Sequence, residues 1–330
     1  MKTLPGVGDH LTESEAEEVF GAVLDGQASE EEIARFLIVL SDRIETSEEI
    51  AGAARALRAR MIPIAAPANA IDVCGTGGDG HHTLNVSTAV SLVVAASGVP
   101  VAKHGNRAAS SKAGAADTLE ALGLNMEAAG RTAEKTLAEI GICFLFAKNH
   151  HPAMGRIHPI RQRLGRRTIF NLMGPLSNPA GVSRQLIGIA RPSYVPIYAA
   201  AKASLGNGRA MIVSGDEGLD ELSLAGGNEI ADVHDGEFEM KRIDASAINA
   251  PHAPVEAIRG GDPAHNAKAL MALLDGNCGP YRDAVIFNAA ASLMVAGTAA
   301  DWAQGAARAR EVLDSGAAKD LLARWIAIVA

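Results

Sequence analysis

Between residues 71 and 88 the chain reads IDVCGTGGDGHHTLNVST, a short apolar run, then four glycines in six positions, then a hydroxyl pair. Glycine surrenders a side chain so that backbone can turn sharply or lie against another group. Set between a strand-like run and the apolar stretch STAVSLVVAASG, this loop demands a strand, a tight turn and a helix in that order. Few folds tolerate such a unit except those built on a sheet whose strand ends carry a ligand.

The rest of the chain repeats that rhythm. IDVC, VPVAKHG, ICFLF, QLIGIA, RAMIVSG and DAVIFNAA read as strands, with STAVSLVVAASG, TLEALG, RTAEKTLAEIG and VPIYAAAKASLG as helices between them. Alternation of this kind predicts an α/β fold with a mostly parallel central sheet flanked by helices and with ligands at the carboxyl ends of the strands. Apolar residues make up 48% of the chain but aromatics only 4%, so the core is built from Ala, Val, Leu and Ile, which suits helices packed closely on a sheet.

Before residue 62 the pattern is purely helical. Thr12 with Glu15, Ser29 with Glu32 and Thr46 with Glu49 are capping-box pairs, each followed by apolar residues at helical spacing. In the middle segment Ile33, Phe36, Leu37 and Leu40 form one stripe, facing either neighbouring helices or a second subunit. IPIAAPANA then reads as a linker. A length of 330 residues, at about 150 per domain, agrees with two domains: a small all-helical N-terminal domain, 1–66, hinged to a larger α/β domain, 67–330. Residues 152–180 interrupt the alternation with a basic run and are either a crossing segment or part of the helical domain returning.

Three cysteines, Cys74, Cys143 and Cys278, show no CxxC spacing, which predicts a reducing cytoplasmic setting without a zinc site or a disulfide framework. No signal-peptide pattern and no membrane-length apolar run are present. The net charge of −8 argues against a general nucleic-acid binder and leaves room for a local basic patch.

Gly75, Gly77 and Gly80 satisfy GxGxxG, yet no helix opens at the third glycine and no acid lies between residues 81 and 116, where a dinucleotide fold would hold a ribose. A Walker loop fails for want of Gly-Lys-Ser/Thr. That acid-free stretch covers two strand-to-helix loops and holds Lys103, His104, Arg107 and Lys112 with Ser87, Thr88, Ser110 and Ser111. Backbone N–H groups, hydroxyls and cations gathered in this way make a site for more than one phosphate. In GDEGLDELS, Asp220 and Glu221 are adjacent carboxylates after a strand, suited to Mg²⁺ held jointly with substrate phosphates. The basic run 150–167 offers guanidiniums for a substrate carboxylate, with composition selecting none of them.

Taken together, GTGGDG at 75–80, NVST at 85–88, KHGNRAASS at 103–111, ADTLEALG at 116–123, HPAM at 151–154, RQRLGRRTIFNLMGPLSNPA at 161–180 and GLDELS at 218–223 resemble the anthranilate phosphoribosyltransferase family, in order and over nearly the whole chain. The resemblance implies transfer of a phosphoribosyl group from phosphoribosyl pyrophosphate to anthranilate, with Mg²⁺, two ions in the substrate complex, as cofactor. It also implies a cytoplasmic homodimer joined through the helical domain, with neither nucleic acid nor membrane as partner. Carried over by motif, Gly75, Gly78, Asp79, Thr83, Asn85, Val86, Ser87 and Thr88 on the first loop correspond to phosphoribosyl pyrophosphate ligands. Lys103, His104, Gly105, Asn106, Arg107, Ala108, Ala109, Ser110, Ser111 and Ala115 do so on the second. Gly75, Asn106, His151 and Arg161 correspond to anthranilate contacts, and Ser87, Asp220 and Glu221 to metal positions.

One departure stands out: Ala113 and Ala115 occupy positions where the family often has serine, which removes a hydroxyl but leaves Ser110, Ser111 and backbone donors. Two other readings share parts of the pattern. Nucleoside phosphorylases have the same fold but need neither a carboxylate clamp nor Mg²⁺ on pyrophosphate, and noncatalytic nucleic-acid-binding relatives would not need the full motif set.

Overall fold

A computed structural model describes residues 4–6, 9–107, 112–206 and 208–330, so the predicted ligands Ala108, Ala109, Ser110 and Ser111 lie outside the described residues. The chain opens with α1 (Glu13–Leu24), α2 (Glu30–Arg43) and α3 (Ser47–Arg58), and each begins at the predicted capping box with both reciprocal bonds made. Reciprocal capping satisfies two of the N–H groups that a helix start leaves open. The α2 stripe Ile33, Phe36, Leu37 and Leu40 is buried inside this chain. Phe20 packs against Phe36 and Phe170 with ring centroids 5.5 and 5.9 Å apart.

The basic insert returns to this helical layer. Its helix Met154–Leu164 buries Ile157 and Ile160 in the same cluster. Arg156 donates to the Asp25 carbonyl, Arg163 pairs with Glu30, and Arg166 pairs with Asp42.

Seven strands form one sheet: β1 (Ile71–Gly75), β2 (Val101–Gly105), β3 (Ile142–Phe146), β4 (Arg184–Gly188), β5 (Arg209–Gly215), β6 (Asn228–His234) and β7 (Glu237–Ile243). Their order is β3-β2-β1-β4-β5-β6-β7, the first five parallel and the last two antiparallel. Both faces of β3 are covered, so ICFLF is a continuous apolar run rather than an alternating one. Helix α4 (Val86–Ala96), with Pro280–Val295 and the last two helices, covers one face; the helical layer and Val195–Ser204 cover the other.

One expectation fails, and one hairpin is not foreseen. DAVIFNAA lies within the helix Pro280–Val295, because a wholly buried apolar run has the same periodicity in either state; Pro280 in the first turn and the long apolar continuation are the cues that favour a helix. The β6–β7 hairpin escapes a reading by apolar runs because β7 is almost wholly exposed and carries none. Its signal is the turn Asp235-Gly236, both at positive φ, as a tight hairpin requires.

The strand order places β1 beside β4, with β2 and β3 leading away on one side and β5 on the other. At such a switch point the connections part and leave a crevice beyond the strand ends, here above the paired residues Gly75 and Gly188.

Candidate active site

The crevice is roofed by the loop that follows β5. Asp220 passes so close over β1 and β4 that a Cβ on Gly75 would strike its carboxylate and one on Gly188 its backbone carbonyl. Both glycines are therefore demanded by contact. The Asp220 carboxylate accepts a hydrogen bond of 2.6 Å from Gly77 N–H, and Glu221 Oε1 accepts one of 3.0 Å from Ser87 N–H in the first turn of α4. Thus the acidic pair rests on the backbone donors that the glycine loop and the helix start provide. Gly77, Gly78 and Gly80 sit at φ 69, 76 and 81°, which explains their identity.

Glu221 Oε2 and Thr88 Oγ1 are buried without a hydrogen-bond partner. Burial and the neighbouring Asp79 raise the Asp220 carboxyl to about 7, and burial with Asp220 raises Glu221 well above the usual carboxylate range. Crowded carboxylates of this kind call for a cation. Among the described residues no three His, Cys, Asp or Glu side chains converge on one point. An acid pair with a bare oxygen and nearby hydroxyls suits Mg²⁺, which completes its shell with water and substrate phosphates. A cavity of about 10 Å³ bordered by Ser87, Gly188, Asp220 and Glu221 has roughly the room of one water.

Alternation along β2 sends its last side chains to opposite faces. Lys103 lies on the α4 side, 2% exposed, with its amine donating to the Val73 carbonyl at 2.7 Å. Burial lowers its pKa, opposed by Asp72, Cys74 and Glu221. His104 lies on the other face, its ring 5.2 Å from that of His151. Burial brings His104 to about 3, with His151 and His150 also disfavouring its charge, and His151 to about 4, with His150 disfavouring its charge. Both rings are neutral at pH 7. His104 Nδ1 is 3.0 Å from the Gly174 carbonyl, which puts its proton there and leaves Nε2 as a bare acceptor. Arg161 is half-buried, its side chain makes no hydrogen bond or ion pair to the described residues, and burial alone shifts it downward.

Other predicted residues take protein partners. Arg107 pairs with Asp117 and Glu120 at 2.9 and 2.7 Å. The Asn106 side chain accepts from Arg107 N–H, and Asp79 accepts from His81 N–H. Thr83 bridges Arg259, Val86 is buried in the first turn of α4, Gly105 lies against Phe144, and Ala115 opens the helix Ala115–Ala121. Asn85 precedes α4, but its side chain makes no cap; its Oδ1 accepts from Thr118 Oγ1 at 2.5 Å and Asn266 Nδ2 at 2.9 Å.

Sequence reasoning misses Asn266 and Gly260. Gly260 N–H donates to the His82 carbonyl and Leu84 N–H to that of Ile258, both at 2.8 Å, so a late segment clamps the glycine loop. Only the GGD at 260–262 hints at a turn there. Asp72 is missed too: fully buried, it accepts from His104 N–H at 3.1 Å and holds the end of β2.

Comparison with known proteins agrees with this architecture. Residues 67–319 match the family described as "Glycosyl transferase family, a/b domain", and residues 5–61 match its "helical bundle domain". An anthranilate phosphoribosyltransferase of Erythrobacter litoralis is 77% identical over 99% of each chain. One from Rhodospirillum rubrum is 50% identical over 98% of this chain and 93% of its own. The crystal structure of the Thermus thermophilus anthranilate phosphoribosyltransferase superposes with a TM-score of 0.92 at 43% identity, covering 98% of this chain and 97% of that one. The Saccharomyces cerevisiae protein in complex with PRPP and Mg superposes at 0.87, with 26% identity over 97% and 93%.

Proposed function

The chain belongs to the anthranilate phosphoribosyltransferase family, and from that premise we propose which of its residues carry the reaction. It transfers the phosphoribosyl group of 5-phosphoribosyl 1-pyrophosphate to the amino group of anthranilate, giving N-(5-phosphoribosyl)anthranilate and pyrophosphate, the second step from chorismate to tryptophan. The nitrogen bonds to the ribose anomeric carbon as the carbon–oxygen bond breaks. The bonding pair leaves with pyrophosphate, and the nitrogen sheds a proton. Such a displacement needs charge stabilisation at the leaving group and alignment of the amine, rather than a covalent nucleophile.

The observation that carries the assignment is the bare Glu221 Oε2 next to Asp220, both acids resting on backbone donors at the switch point. Ser87, Asp220 and Glu221 would hold Mg²⁺, in our reading two ions, and the metal when bound supplies charge neutralisation to pyrophosphate. Loop 75–88, Lys103 and the loop to residue 115 bind phosphoribosyl pyrophosphate. Arg161 and Asn106 orient the anthranilate carboxylate and ring. The neutral His104 and His151 line that side without a charge that would compete for the carboxylate.

Residues 1–66, with part of 152–180, form the helical domain and 67–330 the phosphate-binding domain. The helical domain joins two copies into a homodimer, which acts in the cytoplasm without nucleic-acid or membrane partners. No helix among the described residues is long and apolar enough to cross a membrane.

Anthranilate loses its fluorescence on N-ribosylation. Mixing the protein with anthranilate, phosphoribosyl pyrophosphate and Mg²⁺ is expected to quench that signal. Unchanged fluorescence together with a salt-dependent gel shift would overturn the reading in favour of nucleic-acid binding.

A further inference from the structure

We propose that Arg167 is a further substrate-binding residue, a guanidinium that the helical layer delivers to the pyrophosphate; this rests on the proposed reaction. Three arginines around it are committed to that layer. Arg156 donates to the Asp25 carbonyl at 3.0 Å, Arg163 pairs with Glu30 at 2.7 Å, and Arg166 pairs with Asp42. The backbone of Arg167 is tied there as well, its carbonyl accepting from Ser41 Oγ at 3.0 Å.

Its side chain runs the other way. Arg167 Cδ lies 4.0 Å from where a Cβ on Gly78 would stand, so the side chain rests against the glycine loop. It is half-buried and makes no hydrogen bond or ion pair with the described residues. Guanidinium has five donors and no acceptor, and leaving them idle in a partly desolvated cleft is costly. The charged and titratable groups acting on it are Arg191, which opposes its charge, and Asp220, Tyr194 and Glu45, which favour it. Glu45 is already engaged, accepting from the Tyr194 hydroxyl at 2.6 Å, and Asp220 accepts from Gly77 N–H.

The identity of the missing partner follows from position. Asp220 is among the groups acting on Arg167, whereas burial alone acts on Arg161. Arg167 therefore belongs to the metal and glycine-loop side, and a planar fork facing backbone N–H groups matches a diphosphate. A pyrophosphate held by Arg167 and the glycine loop together also links the helical layer to the sheet, so binding favours closure of the cleft.

The test uses the full chain with Mg²⁺. In Arg167→Met the KM for phosphoribosyl pyrophosphate is expected to rise by about tenfold or more, with product inhibition by pyrophosphate weakened in parallel and the KM for anthranilate within about twofold of native. Arg167→Lys recovers part of the loss, because it keeps the charge and loses the fork. If the Met variant does not fold, calorimetric titration of inorganic pyrophosphate with Mg²⁺ into the native protein and Arg167→Lys decides the matter, weaker binding being expected in the variant. Unchanged pyrophosphate binding, or a rise confined to the KM for anthranilate, overturns the assignment. A native protein that binds pyrophosphate through Arg167 yet leaves anthranilate fluorescent would instead count against the proposed reaction.

Discussion

Asn266 Nδ2 donates a 2.9 Å hydrogen bond to Asn85 Oδ1 across 181 positions of sequence, and through it a C-terminal helix holds the entrance of α4. Thr118 donates to the same oxygen, and Gly261 N–H donates to Asn266 Oδ1, so both loops that flank the crevice meet at one joint.

Asn266→Ala leaves the Gly261 N–H without its acceptor and Asn85 Oδ1 with Thr118 alone, and is expected to cost about 1–3 kcal/mol of stability. The glycine loop should loosen with it, raising the KM for phosphoribosyl pyrophosphate more than that for anthranilate. Urea denaturation and steady-state kinetics check both effects. Asn266→Asp, which cannot donate to Asn85 Oδ1, should be no milder.

Two glycine substitutions separate contact from conformation. A Cβ at Gly188 collides with the Asp220 carbonyl, whereas Gly98 has open space and only a φ of 91°. Gly188→Ala and Gly98→Ala are each expected to cost about 1–3 kcal/mol, the first by overpacking and the second by backbone strain. Only Gly188→Ala should also lose activity, by about a hundredfold, because it displaces Asp220. Thermal melts and initial rates distinguish them.

Glu221→Gln keeps an oxygen for the Ser87 N–H bond and removes a buried carboxyl whose second oxygen has no partner. The variant is expected to melt at or above the native temperature while needing about tenfold more Mg²⁺ for half-maximal rate. Chelating Mg²⁺ should abolish turnover of the native protein, and a magnesium titration of the rate measures both.

The two buried imidazoles predict an acid-side loss of stability. The folded pKa values of His104 and His151, about 3 and about 4, lie below the ordinary 6.5. Below pH 6.5 the unfolded chain takes up protons that the folded chain refuses, so stability present above that pH is lost as pH falls toward those values. Between pH 7 and 5 each histidine should contribute a loss of about 2 kcal/mol. His151→Asn is expected to flatten that limb in urea titrations at the two pH values.

Ala115 stands where the family resemblance leads one to expect serine, and the native protein is nonetheless expected to be fully active. Ala115→Ser should lower the KM for phosphoribosyl pyrophosphate by less than about tenfold, the weight of one hydrogen bond. Activity seen only in the serine variant would overturn this expectation.

Much of the molecule is legible locally. Thr12, Ser29 and Thr46 cap their helices through residues three positions on, so the information sits in one turn of chain. Glycines at 77, 78 and 80 likewise permit, within the loop itself, the positive φ that they adopt, whereas Gly75 beside them answers to a contact with distant Asp220. DAVIFNAA misleads because burial on every side erases the difference between helical and extended periodicity.

Residue type and spacing determine a strand–glycine loop–helix unit, and they lead to the expectation of phosphate binding and of an acidic pair for Mg²⁺. Folding settled which groups meet. The Asp220 backbone lies on Gly188, Asn266 reaches Asn85, and the Lys103 amine reaches the Val73 carbonyl on the neighbouring strand. Strand order and sheet pairing create those relationships by bringing distant segments within hydrogen-bonding range, a few ångströms that no local pattern of side chains encodes.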